Sequence, residues 1–354
     1  MKFLRSIAPS LAALAICVSL LRPLAASAHE VYVLSSQEIA QSVSMASPNP
    51  LTAIPDHEFQ FIQWGVVIAA LILAVLVLTI SPAFERVFDP FLMRLKRFAP
   101  LIGRLTFGLA LIASGYFGDF FGPELPAIGV MSAGAAHILS VLIIVAGALI
   151  CLGFLTRIVS LFALCIFIFT VFKYHLYMLT YMNYLGEILL FLILGGGAWS
   201  LDRAIPFLRR IENSMRGIGK VLEPYSFFIL RVLFGFSLFF ASFYAKFLHS
   251  NLALDTVNDY HLTTYFHFTP LFLVLGAFLV EALLGFCIAT GFEVRFAAIV
   301  FTCFLTMSIL FFGEAVWPHV ILFGVNIALF CHGYDKYTVE KALFQRARKG
   351  EPVL

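Results

Sequence analysis

The sequence predicts an all-α, polytopic membrane helix bundle of about nine transmembrane helices, arranged as one leading helix followed by two parallel four-helix repeats. Hydrophobic residues make up 61% of the 354 residues and charged residues only 12%. That charged fraction is about half that of a typical soluble domain, and the mean hydropathy is +0.97. Apolar runs long enough to cross a bilayer recur along the chain, and two parts of the chain repeat the same motifs. We therefore expect the lipid bilayer to be the main solvent.

Residues 1–28 have the pattern of a secretory signal peptide. Lys2 and Arg5 precede an apolar stretch that ends near Leu21, and small residues follow it at Ala26-Ser27-Ala28. This order is typical of a cleaved signal. The apolar stretch is also short for a membrane span, which needs about 20 residues. We predict cleavage after Ala28, so that residues 29–60 form an exported segment.

Nine apolar runs follow the exported segment, and each is a predicted span. Their approximate positions are 61–81, 99–118, 135–155, 158–179, 184–200, 226–247, 269–291, 296–316 and 318–333. The predicted units are the leading helix with its cytoplasmic linker at 61–97, the first repeat at 98–202, a cytoplasmic linker at 203–223, the second repeat at 224–340 and a tail at 341–354.

The distribution of charge predicts the orientation. Cytoplasmic loops of membrane proteins carry an excess of Lys and Arg. With an exported N-terminus, sixteen basic residues between Arg86 and Lys349 fall on the cytoplasmic side, and only Lys173 and Lys246 fall on the other. We predict a multi-pass protein of the bacterial inner (plasma) membrane with a cytoplasmic C-terminus. The net charge of +3 gives no indication of a nucleic-acid partner.

The two repeats match at spaced positions. Arg104, Phe107, Gly108, Leu111 and Phe120 correspond to Arg231, Phe234, Gly235, Leu238 and Phe247. Gly147, Gly153, Phe154, Arg157 and Cys165 correspond to Gly285, Gly291, Phe292, Arg295 and Cys303, and Gly197 and Asp202 roughly echo Gly333 and Asp335. Because four spans return the chain to the same side, the repeats are expected to be parallel and related by a pseudo-twofold along the membrane normal.

The cysteines and histidines predict no metal site. Cys17 leaves with the signal, and the other five cysteines lie within apolar runs without a Cys-x-x-Cys pair, as buried hydrophobic residues do. Haem would need axial ligands from suitably placed histidines, and no two histidines lie opposite each other within spans. The chain also has no zinc, phosphate-loop or nucleophile motif.

Glu281 is the strongest polar anomaly, because it lies near the middle of the predicted span 269–291. A carboxylate there costs about 2.5 kcal/mol or more unless it is paired, neutralised or hydrated. Its counterpart in the first repeat is Ile143. We expect Asn326 at similar depth, and Arg231 from below, to be its partners. Glu281 is then either a proton carrier or a structural hydrogen-bonding group.

Other polar residues fall at the predicted exported edge. Lys246, Glu314 and His319 could line an outward-facing vestibule, and Glu187 with Asn183 offers a weaker equivalent in the first repeat. An ordinary solvated rim explains these residues equally well. Arg231 is either a snorkelling or structural arginine or a ligand contact.

The second repeat resembles the DoxX family of four-helix membrane proteins and the similar DoxD group. The resemblance rests on Arg231-x-x-x-Gly235, Ala245-Lys246-Phe247, Glu281 through Gly285, and Gly291-Phe-x-x-Arg295, followed by His319 and Gly333-Tyr-Asp335. The first repeat looks like a degenerate copy. The resemblance implies a membrane redox role, including quinone-linked oxidation of sulfur compounds, with Lys246, Glu281 and His319 as catalytic candidates and Arg231 as a substrate-binding candidate. Asn326, the expected partner of Glu281, is the second substrate-binding candidate.

Three functions remain open from the sequence. The first is a redox-associated membrane subunit with an outward-facing site for a quinone or small reductant, which would work with an exported or membrane redox partner protein. The second is a transporter or channel for a small solute. The third is a scaffold for an exported enzyme. The bound cofactor, with quinone as the candidate, is not determined by the residues.

Overall fold

The computed structural model describes residues 34, 36–313, 316–333, 335, 337–339 and 342. The predicted signal peptide, Glu314 and nearly all of the predicted tail lie outside the described residues. Within this part of the chain the helices are α1 Ser36–Ser44, α2 Glu58–Ile80, α3 Pro82–Lys96, α4 Ala99–Phe117, α5 Ala133–Leu152, α6 Thr156–Tyr174, α7 Met182–Leu194, α8 Leu201–Ala204, α9 Pro206–Ser214, α10 Arg216–Leu222, α11 Ser226–Phe243, α12 Ser250–Asp259, α13 Leu262–Tyr265, α14 Pro270–Thr290, α15 Val294–Phe312 and α16 Val320–His332.

The protein is a polytopic helix bundle, as predicted. Seven continuous helical segments of the described chain are long and apolar enough to cross a membrane, and a shorter apolar segment covers Trp317–His332. One of the seven, Thr156–Leu194, contains both α6 and α7, which are joined by the 3-10 turn His175–Tyr181. The apolar helices therefore correspond to the nine runs seen in the sequence.

Each repeat closes on itself as four helices. In the first, α4 contacts α5 and α7, and α6 contacts α5 and α7. In the second, α11 contacts α14 and α16, and α15 contacts α14 and α16. The repeats meet through α4 with α16 and through α7 with α11, so that the first helix of each packs on the last helix of the other. This reciprocal contact is what a pseudo-twofold between parallel repeats requires.

Two glycine pairs let the helices of each repeat cross at backbone contact. A Cβ at Gly108 would lie 2.6 Å from the Gly147 carbonyl oxygen, and a Cβ at Gly235 would lie 2.5 Å from the Gly285 carbonyl oxygen. No side chain fits at such distances. Small residues allow this approach where the lipid supplies no hydrophobic force between helices, and the same contact occurs at the same place in both copies.

The ends of corresponding helices also match. Gly153 and Gly291 end α5 and α14 in the left-handed conformation, with φ of 64° and 73°. At the last helix of each repeat, however, the cap is Gly195 in the first copy and Gly333 in the second. The sequence alignment had placed Gly197 opposite Gly333. That assignment was wrong because neighbouring glycines cannot be distinguished without the backbone geometry.

One end of the bundle carries the linkers between helices, and we call it the basic end. Arginine side chains bond to the ends of helices there. Arg157 donates to the Ile193 carbonyl at 2.6 Å, and Arg295 donates to the Phe330 carbonyl at 2.9 Å. Both carbonyls belong to the last turn of a helix, where no intrahelical donor is available. The opposite end, which we call the capped end, is covered by residues 118–132, 175–181 and 244–269 and by the N-terminal segment.

The leading helix α2 contacts the bundle near its first turns. Trp64 stacks on Phe272 with the ring centroids 4.3 Å apart, and His57 stacks on the same ring at 4.3 Å. Further along α2, Val66, Leu71 and Val77 are more than half exposed. In a bilayer this apolar surface contacts lipid.

Candidate functional site

Lys246 and Glu281 form an ion pair in the second repeat. Lys246 Nζ donates to Glu281 Oε2 at 2.9 Å, and the two side chains are 3% and 13% exposed. Lys246 lies in the π-turn Tyr244–Leu248, which extends α11. Such turns are rare and recur at functional sites. Lys246 therefore supplies the opposite charge that a carboxylate within a bilayer needs.

The prediction that Asn326 and Arg231 are the partners of Glu281 was wrong, because both side chains bond to other groups. Asn326 is fully buried on α16, and its amide donates to the Ala298 carbonyl and to Thr302 Oγ1, both at 2.6 Å. These bonds connect α16 to α15. Depth in the membrane alone could not show which face of α16 carries the amide.

Arg231 is buried and joins the end of α14 to the segment after α16. Its Nε pairs with Asp335 Oδ2 at 2.9 Å, and one terminal nitrogen donates to the Ile288 and Ala289 carbonyls at 2.9 and 2.5 Å. A cation at a helix C-terminus is favourable because the last carbonyls there lack partners. The structure thus gives Arg231 a structural set of contacts at the basic end.

His319 is buried at the capped end. It closes the 3-10 turn Trp317–His319, and the Trp317 ring stacks on Phe117 of α4 at 4.8 Å. The middle residue of this turn, Pro318, lines a cavity between the two repeats.

This cavity has a volume of about 80 Å³. Its walls come from the 118–132 segment, the 3-10 turn His175–Tyr181, α7, α11, the π-turn, the Trp317–His319 turn and α16. The lining residues are Phe121, Glu124, Tyr177, Thr180, Tyr181, Asn183, Tyr184, Ser237, Leu238, Ala241, Tyr244, Ala245, Pro318, Ile321 and Leu322. An apolar, aromatic wall with a few polar groups is the usual composition of a small-molecule site.

Tyrosines dominate the polar part of the cavity. Tyr177 donates to Glu124 Oε1 at 3.0 Å and stacks edge-on against Tyr244 at 5.2 Å. The Ser237 hydroxyl donates to the Thr180 carbonyl at 2.5 Å and lies 3.2 Å from Asn183 Oδ1. These contacts connect α7 of the first repeat to α11 of the second, so that the cavity depends on both copies.

The ion pair and the cavity share the π-turn. Tyr244 and Ala245 line the cavity, whereas the next residue, Lys246, pairs with α14. The structure therefore places Lys246 and Glu281 behind the cavity wall. It does not bring the five predicted site residues together: Arg231 lies at the basic end and Asn326 joins α15 to α16.

Comparison with known proteins supports the resemblance of the second repeat. Residues 226–314 match the DoxX family model. This segment is a DoxX domain. No curated protein and no solved structure matches the chain. The DoxX domain contains α11, α14 and α15 together with Lys246 and Glu281, whereas His319 and Asn326 lie beyond the matched residues.

The first copy differs from the DoxX domain at the ion pair. Because Phe120 corresponds to Phe247, Asp119 takes the place of Lys246, and Ile143 takes the place of Glu281. Asp119 is 8% exposed. Burial, with a smaller contribution from the Glu124 carboxylate, raises the pKa of Asp119 from 3.8 to about 8. An acid has therefore replaced the ion pair at this position.

The stability of the protein is expected to fall as the pH rises from about 4 to about 8, because folding favours protonated Asp119. Over this range the folded protein holds a proton that the unfolded chain has released, which gives a slope of up to about 1.4 kcal/mol per pH unit. Asp119→Asn should flatten the profile in thermal unfolding of the detergent-solubilised protein. Asp56→Asn, at an exposed position, should leave the profile unchanged. An equal slope in Asp119→Asn and the unmodified protein would contradict the assignment.

The tyrosines near the cavity leave a pattern in the sequence that was not used to predict a site. Tyr174, Tyr177, Tyr181 and Tyr184 recur at intervals of four or fewer residues, a spacing that places side chains on one helical face. This pattern was available before the structure. Glu187 and Asn183 were noted only as a weaker equivalent of the second-repeat residues, although the structure buries both side chains.

Proposed function

We propose that the protein is a redox-associated subunit of the bacterial inner membrane whose cavity between the repeats binds the ring of a quinone or a small reductant. The observation that supports this proposal is the cavity between the repeats. Its aromatic walls suit a flat ring, and its hydroxyl and amide groups can orient carbonyl or hydroxyl oxygens. The redox role comes from the resemblance to DoxX-like proteins.

The size of the cavity defines what it can hold. A water needs roughly 10–15 Å³ on this measure, whereas drug-sized pockets span roughly 300–1,000 Å³. At about 80 Å³ the cavity suits several waters, a small solute or one ring. A lipid-tailed quinone would therefore place its ring in the cavity and its tail in the membrane.

We propose that the capped end faces the exported side, because the basic side chains lie at the other end. Among the described residues, those near the basic end include Arg94, Arg97, Arg157, Arg203, Arg209, Arg216, Lys220 and Arg295. This asymmetry is the pattern expected of cytoplasmic loops. Electrons would then reach a bound quinone from an exported reductant or from a partner redox protein.

In this proposal Lys246 and Glu281 hold the cavity wall. Their bond joins the π-turn to α14, and the same turn presents Tyr244 and Ala245 to the cavity. They are therefore positioning residues for the ligand. His319 is likewise a positioning residue, because it directly follows Pro318, which lines the cavity.

Filling the cavity is expected to weaken ring binding. Ala241 lines the cavity on α11, so Ala241→Phe should weaken saturable photolabelling by a short-chain azidoquinone at least tenfold, or about 1.4 kcal/mol. Labelled peptides should come from 174–184 and 237–245. The matched control is Ala135→Phe, at an exposed position on α5, which should label normally.

Two outcomes would count against this function. Unsaturable labelling, or equal labelling of the Ala241→Phe and Ala135→Phe variants, would show that the quinone does not bind in the cavity. Solute flux into proteoliposomes that is lost in Ala241→Phe would assign the cavity to transport instead, since transporters place their sites between repeats.

A further inference from the structure

Glu187 lies below the cavity at the contact between the repeats. It is 0% exposed on α7, and neither carboxyl oxygen has a hydrogen-bond partner among the described residues. Glu281, by comparison, pairs with Lys246. Of these two glutamates in spanning helices, Glu187 is the more deeply buried, and it forms no ion pair with a described residue.

The groups around Glu187 come from both repeats. The position of a Cβ on Gly103 of α4 would lie 3.5 Å from Glu187 Oε1, 3.4 Å from the Phe191 ring and 3.9 Å from Ala328 Cβ of α16. On the α11 side, the preceding residue Gly186 packs against Leu230.

An ionised carboxylate is strongly disfavoured in such surroundings. Moving an isolated charge into an apolar medium costs far more than the group gains there, so the group takes up a proton instead. An ionisable side chain within a spanning helix is expensive and commonly serves proton or ion movement. Glu187 therefore meets the physical condition for a stored proton.

Two polar side chains of the cavity wall are neighbours of Glu187 along α7. Asn183 and Tyr184 line the cavity, and they precede Glu187 by four and three residues, which places all three on one helical face. The Tyr184 hydroxyl and both Glu187 carboxyl oxygens are buried without a hydrogen-bond partner among the described residues. On α7, Tyr184 is the titratable group that lines the cavity and also lies within one helical turn of Glu187.

We propose that Glu187 is a proton-binding site that exchanges its proton with the cavity by way of the Tyr184 hydroxyl. Once Glu187 has released its proton, a ligand hydroxyl is the donor that restores it: the ligand O–H bond breaks with its electron pair left on the ligand oxygen, that proton forms an O–H bond on the Tyr184 oxygen, and the original Tyr184 proton passes to the Glu187 carboxylate. This inference deepens the proposed function and rests on it for the identity of the donor. Its test uses neither quinone nor turnover.

The direct test is infrared spectroscopy of the full chain in detergent at pH 7. The unmodified protein should show a protonated-carboxyl C=O band that is lost in Glu187→Gln, a change that keeps the shape but removes the proton. Glu281→Gln should retain the band, because its carboxylate is paired with Lys246. Asp119 also holds a proton at this pH and cancels in the difference spectrum. A difference spectrum without a carboxyl band would overturn the proposal.

The route through Tyr184 has its own readout. After transfer into D₂O the Glu187 band should shift, and Tyr184→Phe should slow that shift at least tenfold while keeping the band. Equal rates in both proteins would overturn the route. Because Glu187→Gln could fail to fold, labelling of Glu187 by a hydrophobic carbodiimide in the unmodified protein gives a second measurement. Absence of label there, with no carboxyl band, would also refute the stored proton.

Discussion

Glu281→Leu is expected to destabilise the protein by about 3–5 kcal/mol, because it removes the carboxylate that pairs with the buried Lys246 ammonium. Lys246→Met should cost less, since the Glu281 side chain that it leaves behind is 13% exposed against 3% for Lys246 and therefore keeps more contact with its surroundings. The double variant Lys246→Met with Glu281→Leu should recover most of the loss, because two apolar side chains can replace a buried pair. SDS-induced unfolding of the three variants measures the coupling.

The matched control is an ion pair of similar geometry at the surface. Arg216 lies 3.4 Å from Glu223, and the two side chains are 46% and 48% exposed. Glu223→Leu should change the stability by less than about 1 kcal/mol, since water already solvates both charges. If Glu281→Leu and Glu223→Leu cost the same, Lys246 is not desolvated and the pair does not hold the π-turn.

Arg231→Met is expected to cost about 3–5 kcal/mol, because it leaves Asp335 buried and unpaired. It also removes the hydrogen-bond donor to the Ile288 and Ala289 carbonyls at the end of α14. Leaving buried carbonyls without a donor costs additional free energy. Arg231→Lys should recover only part of this stability, since an ammonium cannot reproduce the planar set of donors. Thermal unfolding in detergent measures both variants.

Arg209→Met provides the control for Arg231. Arg209 is exposed and donates to the Arg203 carbonyl at 2.5 Å, so its removal should stay within about 0.5 kcal/mol. Quinone photolabelling of any Arg231→Lys protein that remains folded should match the unmodified protein. If Arg231→Lys lost labelling but kept its stability, Arg231 would be a substrate-binding residue.

The repeat and the approximate positions of the apolar helices could be predicted from the sequence because they depend on local composition. The predicted spans 99–118 and 269–291 correspond to Ala99–Phe117 and Pro270–Thr290. At 226–247 the prediction merged α11 with the π-turn, since a change from α to π hydrogen bonding leaves hydropathy unaltered. The matching DoxX segment, 226–314, likewise lies within the repeat that retained its motifs.

The candidate site was predicted only in part. Lys246 and Glu281 were both identified as residues to examine, yet their bond was not predicted, because Lys246 lies in the turn at the end of α11 whereas Glu281 lies near the middle of α14. Arg231 and Asn326 were assigned to the same site and belong to separate contacts. Asp119 was not among the candidate residues predicted from the sequence, although its burial distinguishes it.

Composition and periodicity determined by themselves that this chain forms membrane-spanning helices in two related sets, because lipid requires long apolar helices whatever their neighbours are. Only the tertiary structure decided which polar groups meet. The cavity joins residues more than 100 positions apart, from Phe121 to Leu322, and Glu187 is enclosed by helices of both repeats. Such contacts depend on how helices rotate and pack, and side-chain pairing across helices leaves no signal in the hydropathy of a single chain.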